Sequence, residues 1–500
     1  MRDLTARRSL PAAWALRWAA EPTVPLLWDG TDADGGWVRA GELEERTRRL
    51  ARTMARLGLA AGDRILWSTG SSVAAVSVNL AALRAGIVVV PVNPAYTERE
   101  VAHVVDDVRP AAAVVDDPAR ARLVARASGG NLPVLDCALD VALTASDAWR
   151  RPGPGIGPGP AVDRPLDCAS PHAPALIAYT SGTTGAPKGA VLTHANLLAN
   201  SESVSRTWRW DAGDRLVHAL PVFHGHGLCV GLYTSLLVGG STVLLPRFDP
   251  DLVLDARAAH SATLFFGVPT MYHRLVASGR AGELGRLRLA VSGSAPLAAD
   301  LHRAVAEAGG GTILERYGMT ETLMTLSNPY DGERRPGTVG FPFPGVEARV
   351  PDGGGEILVR GPAIFSGYWQ RPAASAEAFV DGWFRTADLG EVDDGYVRIL
   401  GRAADLVISG GYNVYPAEVE DVLLGHPAVA EVAVTGTPSD EWGEVVTAWV
   451  VPDAAGPFDT GAVLAWAAER LAAYKRPRLV HVVDTLPRNA MGKVQRSALR

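Results

Sequence analysis

A stretch of eleven residues, Tyr179-Thr-Ser-Gly-Thr-Thr-Gly-Ala-Pro-Lys-Gly189, limits what this chain can fold into more than any other feature. It follows the apolar segment Ala175 to Ala178, expected as a strand, and precedes a helix expected near Asn196. Its glycines let the backbone approach a polyanion closely. Successive N–H groups in such a turn form an anion-binding nest. Thr180, Ser181, Thr183 and Thr184 add hydroxyls, and Lys188 adds a positive charge. An ordinary Ser/Thr/Gly surface turn would not gather so many donors beside a lysine. The loop is not a Walker A motif, which needs a Gly before the Lys and a Ser or Thr after it.

A loop of this kind needs a layered scaffold, and the flanking sequence supplies one. Glu42 to Gly58 reads as a helix with Leu43, Leu50, Met54 and Leu57 on one face. Asp63 to Trp67 reads as a strand, Ser72 to Gly86 as a helix and Ile87 to Val92 as a buried apolar run. Val104-Val105 and Ala111 to Val115 continue the alternation. Strands alternating with helices predict an α/β layered domain with a mainly parallel sheet. With 500 residues, 47% hydrophobic and 20% charged, the chain can bury a large core. Disorder and collagen-like repeats are excluded.

The pattern changes after Gly401. Ala417 to Leu424 reads as a helix, Val429 to Thr435 and Val445 to Val451 as strands, and Ala462 to Ala473 as a helix. This predicts a compact α+β unit beyond a boundary at Arg402 to Asp405, giving domains 1–401 and 402–500. Pro152 to Pro160 is almost all Gly and Pro and reads as a surface loop or linker.

Net charge is -6, with no long block of like charge for nucleic acid. Cys137, Cys168 and Cys229 are too few and scattered for a disulfide framework or a zinc site, and fit a reducing compartment. Arg2, Arg7 and Arg8 before Leu10 to Ala20 faintly imitate a signal peptide. Arg17 breaks the apolar stretch, and Glu21-Pro22 replaces a small-residue cleavage site, so an amphipathic surface helix is expected. No apolar run reaches the ~20 residues of a membrane span. The expected location is cytoplasmic.

Five ordered segments carry a resemblance that runs nearly end to end. Tyr179 to Gly189 resembles the phosphate loop of the AMP-forming acyl-CoA synthetases. Arg316-Tyr-Gly-Met-Thr-Glu321 resembles that family's adenine and magnesium segment, and Trp383-Phe-Arg-Thr-Ala-Asp388 its ribose segment. Gly401-Arg402 and Ser409-Gly-Gly-Tyr-Asn-Val-Tyr-Pro-Ala-Glu-Val-Glu420 resemble the hinge and thiolation loop. Pro487-Arg-Asn-Ala-Met-Gly-Lys493 resembles the catalytic-lysine motif.

The resemblance implies a large N-terminal α/β domain with a smaller, mobile α+β lid. It implies two half-reactions: a carboxylate attacks the α-phosphate of ATP, releasing pyrophosphate, and CoA thiolate then displaces AMP. The first step joins two anions, so the site must supply positive charge and fixed donors. By resemblance Lys493 acts at the α-phosphate and carboxylate, and Glu321 with Thr184 holds Mg²⁺. Thr180, Ser181, Gly182, Thr183, Thr184, Gly185 and Lys188 hold the β- and γ-phosphates. Ser294, Ala295, Glu315, Arg316, Tyr317, Gly318, Met319 and Thr320 line the nucleotide, with Tyr317 on adenine. Asp388 accepts from the ribose hydroxyls with Arg402 beside it, and Ser409, Gly410 and Gly411 pass the pantetheine arm.

Two positions depart from the family. Ala387 stands where it usually has Gly, and Ala404, followed by Asp405, stands where the hinge usually has Asp or Lys.

Three segments are expected around the acyl group: Leu220 to Gly227, Phe266 to Arg274 and Ser292 to Leu297. Phe266 to Arg274, His224-Gly-His-Gly227 and Glu315 to Met324 together look most like malonyl-CoA synthetases. That resemblance implies malonate or methylmalonate as substrate. It assigns His224 a catalytic as well as a substrate role, and His226, Arg274, Ser292, Met319 and Met324 to the substrate. Arg274 would pair with the distal carboxylate, a task its planar fork suits. It lies off the apolar face formed by Met271, Tyr272, Leu275 and Val276, so a surface ion pair is the competing reading. His224 and His226 without a nearby carboxylate or thiolate make a poor metal pair. Other readings are a fatty-acyl or aryl-acid CoA ligase, or an adenylation enzyme loading a carrier protein in trans. No carrier domain follows Arg500, which favours a stand-alone ligase.

Overall fold

The computed structural model describes residues 9–30, 35–137, 165–180, 187–439, 441–453, 458–488 and 493–499. Ser181, Gly182, Thr183, Thr184, Gly185 and the Pro152 to Pro160 stretch lie outside the described residues.

Two large sheets organise residues up to Pro342. Six apolar segments run parallel side by side: Leu314–Met319, Leu289–Ser292, Leu264–Gly267, Arg215–His218, Ser241–Leu244 and Pro25–Asp29. Antiparallel strands flank this set, Leu323–Ser327 and Phe341–Pro342 at one edge and Trp37–Arg39 at the other. In the second sheet Val134–Asp136, Ala112–Val115, Arg64–Ser68, Val88–Pro91 and Pro174–Thr180 are parallel. Strands buried on both faces read as continuous apolar runs rather than alternating ones. Val88–Pro91 and Ala112–Val115 are buried at every residue.

The glycine-rich segment departs from the expected strand-to-helix turn. Lys188–Thr193 is itself a strand, antiparallel to Pro174–Thr180, with Thr180 opposite Lys188 and Tyr179 opposite Gly189. The helix His194–Thr207 begins only afterwards, with Thr193 and Asn196 forming its capping box. Ala190, Val191 and Leu192 are apolar and buried, which makes this run a ladder member rather than a helix start.

The helix Leu10–Ala20 forms as expected, capped by Ser9, but it is more than a surface helix. Trp14 and Trp18 are buried, and Trp14 Nε1 donates to the Tyr233 carbonyl at 3.3 Å.

Residues 347–402 form a third, antiparallel sheet, ending in the long hairpin of Trp383–Asp393 and Tyr396–Arg402. A fourth sheet contains Val407–Ser409, Tyr412–Val414, Val429–Ser439, Gly443–Pro452 and Leu479–Val482, covered by Pro416–Leu424 and Thr460–Arg470. Its buried cluster runs from Val407 to Leu471, while the largest cluster of the preceding part ends at Val397. Between them lies one 3₁₀ turn, Ala403–Asp405.

Candidate active site

The tight turn between Leu314–Met319 and Leu323–Ser327 carries Thr320, Glu321 and Thr322. The turn can close because residue 318 is glycine: a Cβ there would sit 1.8 Å from the Leu323 carbonyl oxygen. Glu321, 4% exposed, accepts from Thr180 Oγ1 at 3.2 Å and from Tyr368 Oη at 3.1 Å. Burial pushes its carboxyl above the usual carboxylate range, against the pull of its own backbone N–H, Tyr368 and Thr180. The Lys188 ammonium lies 5.4 Å from the Tyr368 ring centroid. Thr180 and Lys188 thus meet the distant Glu321 around Tyr368. No local motif marks Tyr368, which only the packing brings to this place. Thr184, the second expected metal ligand, lies outside the described residues.

On the long hairpin, Asp388 is opposite Arg402 in register, and Arg402 Nε reaches Asp388 Oδ1 at 2.8 Å. Tyr317 Oη donates to the other carboxylate oxygen at 2.5 Å. Burial raises the Asp388 carboxyl, while Arg402, Tyr317 and Lys493 oppose the rise. Arg402 also donates to the Thr386 carbonyl, and Thr386 Oγ1 receives the Asp388 N–H. Ala387, the family's usual glycine, sits at φ 55°, a left-handed conformation.

Lys493 is exposed, and Arg402, Asp388, Arg496 and Asp405 act on its charge. Desolvation and then Arg402 lower its pKa, with Asp388 pulling the other way. Arg496, three residues on, reaches Glu420 at 2.8 Å and Asp405 at 3.6 Å, tying this tail to the 3₁₀ turn.

The third group is different in kind. Arg316 is 3% exposed, and neither its Nε nor its Nη2 has a partner. Its guanidinium fills the place of a side chain on residue 293, where a Cβ would lie 2.3 Å from Cζ and would displace it. Ser292 Oγ and His226 Nε2 are also buried without partners. His226 starts a π-helix, His226–Leu232, stacks on Phe266 and holds Ser294 Oγ through Nδ1 at 3.2 Å. Single π turns often occur at functional sites. Burial, then Arg316, pushes the His224 imidazole down to about 4, and His226 falls well below its usual range for the same reasons. Burial lowers Arg316 itself to about 9. Glu315 does not neutralise it: its carboxyl accepts the Leu297 N–H at 2.9 Å, and burial raises it to about 8. Met324 is buried beside Gly318, and Met319 is partly buried against the main core.

Arg274 is not part of this group. It is exposed on the helix Pro269–Ala277, with its guanidinium 5.0 Å over the Phe248 ring. Tyr272 and Leu275 take the buried face and turn Arg274 outward. Ser294 and Ala295 are exposed in the turn after Leu289–Ser292, with Ser294 at φ 69°. In the last sheet Gly410 and Gly411 turn the chain at φ 58° and 83° beside the buried Ser409. A Cβ on Gly410 would meet the Trp442 ring at 2.7 Å.

A corner of paired carboxylates, a nearby lysine and a buried cation sit on a layered α/β scaffold, and comparison gives the family. Residues 14–369 match the model of the AMP-binding enzymes, and residues 418–493 match their C-terminal domain. The chain belongs to this family and is an AMP-forming acid–CoA ligase. It is 37% identical to a feruloyl-CoA synthase of Amycolatopsis, with 92% of each chain covered. It is 36% identical to the sulfoacetate–CoA ligase of Cupriavidus necator, covering 98% of this chain and 97% of that one. It is 40% identical to a malonate–CoA ligase of Arabidopsis thaliana, over 65% of this chain and 60% of that one. The crystal structure of ATP-bound MatB from Rhodopseudomonas palustris superposes with a TM-score of 0.88 at 42% identity, covering 98% of both chains. Among the described residues no helix is long and apolar enough to cross a membrane.

Proposed function

We propose that this ligase activates a short carboxylic acid carrying a second anionic group, with malonate or methylmalonate as the preferred substrate. The observation that carries this is Arg316, a buried guanidinium with unpaired donors beside Ser292 and His226. A buried charge without a partner costs several kcal/mol, and an anionic substrate group would supply the partner. Arginine suits a carboxylate because its fork is planar and bidentate. Malonate and sulfoacetate, the acids named for two of the relatives, each bear such a second group. The feruloyl-CoA synthase relative favours a second reading, an aryl acid.

In this proposal the lid begins at Arg402 to Asp405 and rotates between the half-reactions. Lys493 stabilises the charge that forms as the acid attacks ATP, and Asp388 with Arg402 holds the ribose. His224 and His226, largely neutral at pH 7, orient the acid by hydrogen bonds. Ser409, Gly410 and Gly411 border the path of the CoA arm. Glu321, a hard oxygen donor, fits Mg²⁺, and a bound dication would favour the ionised carboxylate that burial opposes. That ion would neutralise phosphate charge.

ATP–pyrophosphate exchange with malonate, methylmalonate, sulfoacetate, butyrate, octanoate and ferulate tests the substrate. Malonate or methylmalonate should lead. A preference for ferulate or octanoate would overturn the reading. Lys493→Ala should abolish exchange by orders of magnitude while preformed acyl-AMP plus CoA still yields thioester.

A further inference from the structure

The two strands flanking the glycine-rich segment are held from outside by one helix, Glu98–Val108. Thr97 and Glu100 form its capping box, and Val101, Val104 and Val108 bury one side of it. His103 and Asp107, four residues apart, therefore share another side. Both reach the strand ends. His103 Nε2 donates to the Pro187 carbonyl at 2.9 Å. Asp107 accepts from Tyr179 Oη at 2.5 Å and from Arg371 Nη2 at 2.8 Å. One residue thus engages the strand entering the segment, and the other the residue leaving it.

Asp107 is in an unfavourable place for a carboxylate. It stands in the last turn of its helix, where the macrodipole disfavours negative charge, and its side chain is 9% exposed. Charge-assisted bonds from two directions compensate. The Tyr179 ring lies across Gly189, where a Cβ would be 3.3 Å from the ring, and this directs its hydroxyl to Asp107. Trp369 closes the arrangement: its backbone N–H donates to the Gly189 carbonyl at 2.7 Å and its Nε1 to the Asp107 carbonyl at 3.3 Å. Next to it, Tyr368 holds Glu321. The helix, the two strands and the Glu321 turn form one connected hydrogen-bonded frame.

We propose that Asp107 and His103 are positioning residues for the first half-reaction, setting the separation and direction of the strands that present the glycine-rich segment to the ATP phosphates. The proposal rests on the reading of that segment as a phosphate loop. Neither residue touches the nucleotide; each acts through the strand it holds. Their contribution should appear in ATP binding and pyrophosphate chemistry and be absent from thioester formation, which begins after pyrophosphate has left.

The experiment uses the full chain and the acid that gives the fastest exchange. For Asp107→Ala, His103→Leu and His103→Gln, three quantities are measured: KM for MgATP in pyrophosphate exchange, thioester formation from preformed acyl-AMP and CoA, and Tm. Asp107→Ala loses charge-assisted bonds and should raise KM for MgATP by roughly 10- to 100-fold. His103→Leu loses one neutral bond and should raise it about 3- to 10-fold. His103→Gln keeps a donor and should restore it to within about two-fold of wild type. Thioester formation should stay within about two-fold in all three. Should Asp107→Ala not fold, the two His103 variants decide. Equal losses in both half-reactions, or an unchanged KM for MgATP in an active enzyme, would overturn the proposal and leave the phosphate-loop reading standing. Absence of exchange by wild type with every acid would overturn both.

Discussion

The corner proposed for the nucleotide and the region proposed for the acyl group share the strand Leu314–Met319, yet treat charge in opposite ways. In the nucleotide corner each carboxylate has its partners within the protein. Asp388 has Arg402 and Tyr317, Glu321 has Thr180 and Tyr368, and Asp107 has Tyr179 and Arg371. Around Arg316, buried polar atoms lack partners: Arg316 Nε and Nη2, Ser292 Oγ, His226 Nε2. Adjacent residues divide the two regimes, Tyr317 turning to Asp388 and Arg316 turning under Gly293. The corner is paired within the protein, whereas under the proposed function the group around Arg316 would be completed by the charge of the acid. A paired region is stable without substrate; an unpaired one sacrifices stability for selectivity.

The largest expected effect comes from removing the unpaired cation. Arg316→Met should lower kcat/KM for malonate by about 1,000-fold, equivalent to ~4 kcal/mol of transition-state binding. The loss for butyrate should stay under about ten-fold. Tm of the free enzyme should hold or rise, because a buried charge without a partner has been replaced by a flexible apolar side chain. Thermal melting and steady-state kinetics with the two acids check this. A lower Tm with parallel losses for both acids would mean that Arg316 is a structural cation and that the contrast between the regions is false.

Acid provides the second test. His218 lies behind the pocket with both ring nitrogens unpaired, and burial pushes it down to about 4 from an ordinary 6.5. The unfolded chain takes up this proton as pH falls through 6.5, whereas the folded chain refuses it until about 4. Stability from this group is therefore complete above pH 6.5 and lost progressively on the way to 4, by at most about 3 kcal/mol. His194 and His224 act in the same window and sense. Urea midpoints across this range should fall steeply for wild type and less steeply, by about one proton, for His218→Leu. An unchanged slope would show that the imidazole is already paired, for example by water.

How legible the two regions were in sequence follows from the same contrast. Lys493, Glu321, Asp388 and Arg402 could be selected because each belongs to a short ordered motif. The alternation of strands and helices was readable because buried parallel strands are continuous apolar runs. Which of Arg274 and Arg316 is buried could not be read from spacing. Both lie in segments expected near the site, and only packing decides that Tyr272 and Leu275 claim the buried face while Gly293 opens space for the other arginine. The frame behind the glycine-rich segment was equally hidden. Asp107 meets Arg371 across 264 positions, and no local pattern announces such a pair. The expected strand-to-helix turn became a hairpin because Lys188 to Thr193 pairs along its whole length.

The smallest effect sharpens the comparison from the paired side. Ala387 stands between Thr386 and Asp388, both fixed by hydrogen bonds, at φ 55°. An L-residue in that region loses roughly 1–2 kcal/mol to the clash of Cβ with the following carbonyl. Glycine removes the clash, but its freer unfolded chain returns about 0.5–1 kcal/mol of that gain. The net expectation for Ala387→Gly is a stabilisation of about 0.5–1 kcal/mol, read as a rise in urea midpoint at constant slope. The Ala387 N–H already donates to Glu356 Oε1 at 3.0 Å, and Asp388 is held independently by Arg402 and Tyr317. KM for ATP should therefore change by less than about two-fold. A large change in KM would show that the strained alanine itself sets the Asp388 carboxylate, and the corner would then depend on backbone strain rather than on pairing.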